Sequence, residues 1–191
     1  MYERVRQIVL AAIVAAVAPA GVTAQPSASH ADVDAVKGII AHLAQALTME
    51  AMAPAHGASP RVQMFAAELE IAQRAKVEAL QAWLKAHGEA VSVVSEAHAG
   101  HDHGVTGAGA GAAEHAQVAG MLTEDQLEEL AHARGVRFDR LFLTYLIQHH
   151  QGGIVTGERL GSAGGDVSAV ARSLVADEKA LVIRMQAMSA P

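Results

Sequence analysis

The sequence predicts an all-α protein, a four-helix bundle of two pseudo-repeated helix hairpins, and three observations carry that prediction. Apolar residues make up 51% of the 191-residue chain and aromatics only 3%, and the alternating β-branched and aromatic runs that favour strands are absent. Alanine, the best helix former, is abundant along the whole chain. Long segments place apolar residues at three- and four-residue spacings, the stripe of a helix that covers a core.

The chain opens with Arg4 and Arg6, the run IVLAAIVAAVAPAGV, and Val22-Thr23-Ala24 before Gln25. A basic start, a short apolar stretch and a small-residue end describe an export signal over 1–24. An uncleaved anchor is the alternative, for which an Ala- and Gly-rich run is weak as a full span. A periplasmic or secreted mature chain follows, with no membrane contact after signal cleavage. Residues 25–31 read as a disordered polar lead-in.

The first hairpin is predicted over 32–88. Its first helix starts near Asp32, where acidic residues suit a helix N-terminus, and stops near Met52 ahead of Pro54. Val36, Ile39, Ile40, Leu43 and Leu47 form its apolar stripe, and His42, Ala46 and Met49 share one face. Ser59 then caps, with Pro60 in the first position, a second helix that runs to about His87 and closes at Gly88. Its buried stripe is Val62, Phe65, Leu69, Ala72, Lys76 or Val77, Leu80, and Trp83 or Leu84.

Over 89–119 the periodicity gives way to Gly, Ala and His, with HAGHDHG at 98–104. Such a segment buries too little apolar surface to offset its ordering entropy, so it reads as a flexible linker whose composition suits metal binding. Order resumes over 120–191. Thr123 and Gln126 form a capping box for a short extra helix ending at Gly135. A long helix from Val136 to about Leu160 carries FDRLFLTYLIQHHQGG, the stretch containing His149-His150. Gly161–Gly165 breaks the chain, and Asp166 caps a last helix striped with Val167, Val170, Ala171, Leu174, Leu181, Val182 and Met185.

The hairpins repeat one plan. Asp139 and His149 stand 107 positions after Asp32 and His42, and Val167, Ala171, Leu174 and Met185 stand 105 after Val62, Ala66, Leu69 and Leu80. The two-residue difference falls in the interhelix loop, where length varies freely. Neither hairpin buries its apolar face alone, so 32–88 and 120–191 are predicted to pair as one domain. His42 and His149 should then meet across a pseudo-twofold axis.

A formal net charge of -6 without a basic stripe argues against a nucleic-acid partner, and zero cysteines remove thiolate sites and disulfides. A di-iron bundle requires Glu three residues before each histidine, yet those positions hold Ile39 and Leu146. Ser-His-Asp and phosphate-loop patterns are missing as well, so no enzyme is expected.

At Asp139, Phe142, Leu146, Ile147, His149, His150, Gln151 and Gly152 the sequence resembles the family called domain of unknown function 305. IIAHLAQALTMEAMAPAHGASP and AQRAKVEALQAWLKAHG resemble that family's other hairpin. The resemblance implies an exported helical bundle of the ferritin-like fold, associated in some members with copper held by His and Met. Leu43 stands where the family has a histidine, Ile39 and Leu146 where methionines are common, Thr156 opposite Met49, and Lys76 and Leu181 at positions often acidic.

Copper(I) favours thioether and imidazole donors, and copper(II) favours imidazole with oxygen. His42, Met49, Met52, His149 and His150 are therefore the candidate core ligands, with Asp139 placed to orient a histidine. The plainer reading makes the methionines gap fillers and the histidines hydrogen-bonded core residues. His150 lies about 100° around the helix from His149 and lacks a histidine counterpart, because Leu43 takes that place. His98, His101 and His103 with Asp102 form a separate candidate for copper(II), zinc or nickel. His56, His87 and His115 read as surface residues. The expected partner is a metal ion bound for storage, buffering or delivery. A metal-free helical module that kept the fold and lost ligands is the competing reading, and a homo-oligomer is compatible with either.

Overall fold

The computed structural model describes residues 28–89, 119–163 and 167–190. The predicted export signal, nearly all of the linker, His115, and the candidate ligands His98, His101 and His103 lie outside the described residues. Among the described residues there are five helices and no strand: α1 His30–Met52, α2 Pro60–Ala86, α3 Glu124–His132, α4 Gly135–Ala163 and α5 Val167–Ser189.

Local chemistry sets the helix ends. α1 starts two residues before the position expected from Asp32, because Ser29 caps it. The Ser29 hydroxyl accepts from the Asp32 N–H at 3.1 Å, and the Asp32 carboxylate accepts from the Ser29 N–H at 3.2 Å. Asp32 is thus the returning half of a capping box. Ser59 with Pro60 begins α2, Gly88 at φ +79° follows its end, and Thr123 with Gln126 caps α3, all as the sequence predicts.

α4 outruns its predicted end at Leu160 and continues to Ala163. Gly161 does not break it. Gly153, Gly157 and Gly161 recur every four residues and form a smooth strip on which α5 closes. A Cβ at Gly157 would lie 2.6 Å from Val175 Cγ2, and one at Gly161 3.0 Å from Arg172 Cγ. Gly152, one position round the helix, lets the Ala119–Gly120 turn lie on the α4 backbone, where a Cβ would stand 2.0 Å from the Ala119 oxygen.

Two apolar clusters fill the bundle. The larger gathers Met49, Phe65, Leu69, Leu130, Phe138, Phe142, Leu146, Val182 and Met185. The smaller gathers Val33, Val36, Ile40, Leu43, Val77, Leu80, Leu84 and Val167. Each large side chain so buried contributes roughly 1.5–3 kcal/mol. The larger cluster follows His42 on α1 but precedes His149 on α4, so these helices run antiparallel and the pseudo-twofold axis crosses the bundle between the clusters.

The end of the first hairpin is tied to the start of the second. The Asp139 carboxylate accepts from the Ser59 N–H at 3.1 and 3.3 Å. His56 is more than a surface residue: its carbonyl accepts from the Gly135 N–H at 2.9 Å, and its ring packs against Phe138 at 5.0 Å. His87 stacks on Trp83 at 4.0 Å.

Candidate metal centre

Between the two apolar clusters lies a polar layer supplied by four helices. α1 contributes His42, α2 Gln73 and Lys76, α4 His149 and His150, and α5 Glu178. On α2 the polar pair falls between Leu69 of the larger cluster and Val77 of the smaller. On α5 Glu178 falls between Val167 of the smaller and Val182 of the larger. Gln73, His149 and His150 are each 1% exposed, Lys76 3% and Glu178 6%.

His42 and His149 meet as the repeat predicts. Their rings stack with centroids 3.8 Å apart and planes 12° apart. Gly153 makes room for this, since a Cβ there would lie 3.0 Å from His42 Nε2. His150 presents its edge to His149, at 5.9 Å and 88°. Its Nδ1–H donates to the Glu178 carboxylate, an acceptor-only group when ionised. The sequence left His150 without a counterpart at Leu43, but its partner is this carboxylate of the same hairpin.

The electrostatics keep the stacked pair neutral. Burial lowers His149 to about 2, with repulsion from His42 and His150 acting in the same direction. Burial lowers His42 to about 4, despite the pull of Glu178 upward. Burial pushes the Glu178 carboxyl up, but attraction to His150, their hydrogen bond, Lys76 and His42 together hold it below the usual carboxylate range. The Lys76 Nζ lies 3.6 Å from Glu178 Oε1 and 3.8 Å from Asp177 Oδ2. Glu50, two turns beyond His42 on α1, is driven well above the ordinary range by burial and then by Glu70 and Glu178.

Both nitrogens of His42, both of His149 and Nε2 of His150 are buried with no hydrogen-bond partner, as are the side-chain polar atoms of Gln73 and Glu50. Neutral imidazoles with free lone pairs are the form that ligates metal. His150 further shows the carboxylate-held Nδ1–H that orients a ligating Nε2. A cleft of about 190 Å³ between α1, α4 and α5 reaches His42 and Glu178, with exposed Asp34 and Arg159 among its lining residues. The parallel planes of His42 and His149 do not aim lone pairs at one point. Among the described residues no three His, Asp or Glu side chains are already gathered to hold an ion.

The other predicted ligands stand apart from this layer. Met49 is fully buried in the larger apolar cluster, and Met52 packs against that cluster. Met49 lies seven residues from His42, about 10 Å along the axis. Asp139 lies ten residues from His149, about 15 Å along α4, and its carboxylate is taken by Ser59. It therefore holds the hairpin junction and orients no histidine.

The sequence does not single out Glu178, Gln73 or Glu50, and it marks Lys76 as an alternative to Val77 in the buried stripe and as a departure from an acidic pattern, not as a member of a site. The signal was present in the repeat: Glu178 stands 105 positions after Gln73, and Leu181 the same distance after Lys76. Leu69, Gln73, Lys76 and Leu80 share one helical stripe, so polar residues interrupt a face that is otherwise apolar.

Comparison with known proteins places the chain. The family model described as Domain of unknown function (DUF305) matches residues 32–189. Among solved structures, a DUF305 fragment from Deinococcus radiodurans is 23% identical, with a TM-score of 0.68, over 86% of this chain and 98% of that one. A candidate secreted DUF305 protein from Streptomyces coelicolor is 18% identical, with a TM-score of 0.63, over 81% and 89%. CopM in its Cu(II)-bound form is 18% identical, with a TM-score of 0.60, over 83% and 95%. CopM in its Cu(I)-bound form gives a TM-score of 0.58 at 17% identity, over 82% and 94%. At these identities the likeness shows the helical-bundle fold. No curated protein matches the chain.

Proposed function

The chain belongs to the DUF305 family, and from that membership we propose that it is an exported copper-binding protein. It buffers or delivers the ion through the buried imidazoles of His149 and His150, with His42 beside them. One observation carries this reading: five imidazole nitrogens lie without a hydrogen-bond partner in a layer closed by four helices. Each buried unsatisfied polar group costs about 1–3 kcal/mol, so stability alone does not account for five in one place. Neutral His42 and His149 each keep one lone-pair nitrogen, and with Nε2 of His150 that makes three donors; a metal that accepts them offsets part of that cost.

The chemistry of the donors supports copper. All five atoms are imidazole nitrogens, and burial keeps His42 and His149 uncharged down to about pH 4 and about pH 2. Imidazole with little oxygen competition suits copper in a low-coordinate site. The copper-bound CopM structures support the assignment by fold. Among the described residues no helix is long and apolar enough to cross a membrane, and the export signal read over 1–24 accords with the secreted description of the Streptomyces relative. The role is binding rather than catalysis. His98, His101 and His103 would add a second, weaker site that accepts zinc or nickel as well.

The metal-free reading draws on the parallel stacking of His42 and His149, whose lone pairs do not converge. Copper titration of the mature protein separates the two. One equivalent should survive deletion of residues 98–104 and disappear in a His149→Ala, His150→Ala double variant. An intact protein that binds no copper above background would end the copper reading.

A further inference from the structure

The polar layer holds a cation of its own. Lys76 reaches from α2 with its Nζ 3.6 Å from Glu178 Oε1, and its side chain is only 4% exposed. Its repeat counterpart is Leu181, while Glu178 corresponds to Gln73 and His150 to Leu43. A layer that obeyed the pseudo-twofold axis with the acidic half repeated would carry two carboxylates and no ammonium. Within the buried layer a single ionised carboxylate, Glu178, faces a single ammonium, which also lies 3.8 Å from half-exposed Asp177 at the rim, with neutral Gln73 opposite.

We propose that Lys76 selects the charge of the ion this core admits. Its ammonium already neutralises Glu178, so the layer takes a monovalent soft cation such as copper(I) and excludes divalent ions. The proposal deepens the copper reading above. The charging cost of an ion in a low-dielectric interior rises with the square of its charge, so a divalent ion costs about four times as much as a monovalent one. Only an uncommitted carboxylate offsets that difference, and Glu178 is shared between Lys76 and His150. What remains for a metal is neutral imidazole nitrogen and the amide oxygen of Gln73, donors that carry no charge to offset that of a divalent ion.

The test replaces Lys76 in the full mature chain by Leu, the residue of the other half, by Gln, and by Arg. Zinc and cobalt(II) binding are read by competition with a chromophoric chelator and by cobalt d–d absorption, and copper(I) by a copper(I)-specific chelator. Lys76→Leu and Lys76→Gln should bind zinc at least about tenfold more tightly than the parent, and adding Glu178→Gln should abolish the gain. Lys76→Arg should show no gain. No gain in folded Lys76→Gln, or a gain that persists with Glu178→Gln, overturns the proposal. Should the neutral variants be unfolded alone, zinc must restore their helical circular dichroism, and failure to do so also overturns it. A parent that binds no copper(I) beside variants that gain zinc would sink the copper reading and leave the role of Lys76 standing. The reverse result would do the opposite.

Discussion

The imidazole of His42 lies face to face with that of His149, centroids 3.8 Å apart, one ring from each half of the repeat and neither with a hydrogen-bond partner. Two neutral rings held this way add little to stability, because each brings desolvated nitrogens into the interior. His149→Leu should therefore fold as stably as the parent or more so, while copper(I) affinity falls at least about tenfold. Urea denaturation and chelator competition check the pair of outcomes. A variant several kcal/mol less stable with unchanged copper binding would make the ring structural.

Acid should unfold the protein through the same two residues. Each imidazole titrates near 6.5 when unfolded, but at about 4 for His42 and about 2 for His149 when folded. The unfolded chain thus binds more protons below pH 6.5. Stability is fully present above that value and is lost as pH falls toward the folded values, with a slope approaching about 1.4 kcal/mol per pH unit for each histidine. Urea midpoints between pH 7 and 4.5 should fall, and less steeply in His42→Leu, His149→Leu. A flat profile in the parent would contradict the burial account.

Two glycine-to-alanine changes should act with opposite sign. A Cβ at Gly152 would stand 2.0 Å from the Ala119 oxygen, so Gly152→Ala must displace the turn over His149 and should cost more than about 2 kcal/mol. Gly38, exposed in the middle of α1, has nothing within 4 Å of the added atom. Gly38→Ala should stabilise by up to about 1 kcal/mol. Thermal melts of both variants decide the matter, and equal effects would refute the close approach at residues 119–120.

Asp139 supplies a negative control for the site. Its carboxylate accepts from the Ser59 N–H at the junction of the hairpins. Asp139→Ala should lower stability by about 1–2 kcal/mol and leave copper affinity within about twofold of the parent. A matched loss of copper would restore the orienting role that the sequence suggested.

Much of the architecture is legible in the chain because helix signals are local. Ser59-Pro60, the Thr123–Gln126 box and Gly88 mark ends by side-chain reach and backbone freedom, and the 107-residue offset alone joins His42 to His149. That α4 runs past Gly161 is not legible, because a glycine in sequence looks the same whether it ends a helix or admits a neighbouring one; Arg172 and the Ser168 carbonyl on the facing helix distinguish the two. The core polar residues were hidden for a related reason. Lys76 shares its place in the buried stripe with Val77 as an alternative, Gln73 and Glu178 carry no signal of their own, and the burial of all three depends on which faces the four helices turn inward. Asp139 failed as a histidine partner because phase along a helix says nothing about axial distance, and ten residues carry it far from His149.

The most direct measurement follows the imidazole nitrogens themselves. Copper(I) is diamagnetic, so ¹⁵N-edited NMR of the histidine rings can be recorded before and after one equivalent is added. The account predicts that the ring-nitrogen resonances of His149 and His150 move, with those of His42 affected beside them, while His56, His87 and His132 stay in place. Shifts confined to histidines outside the buried layer would contradict it.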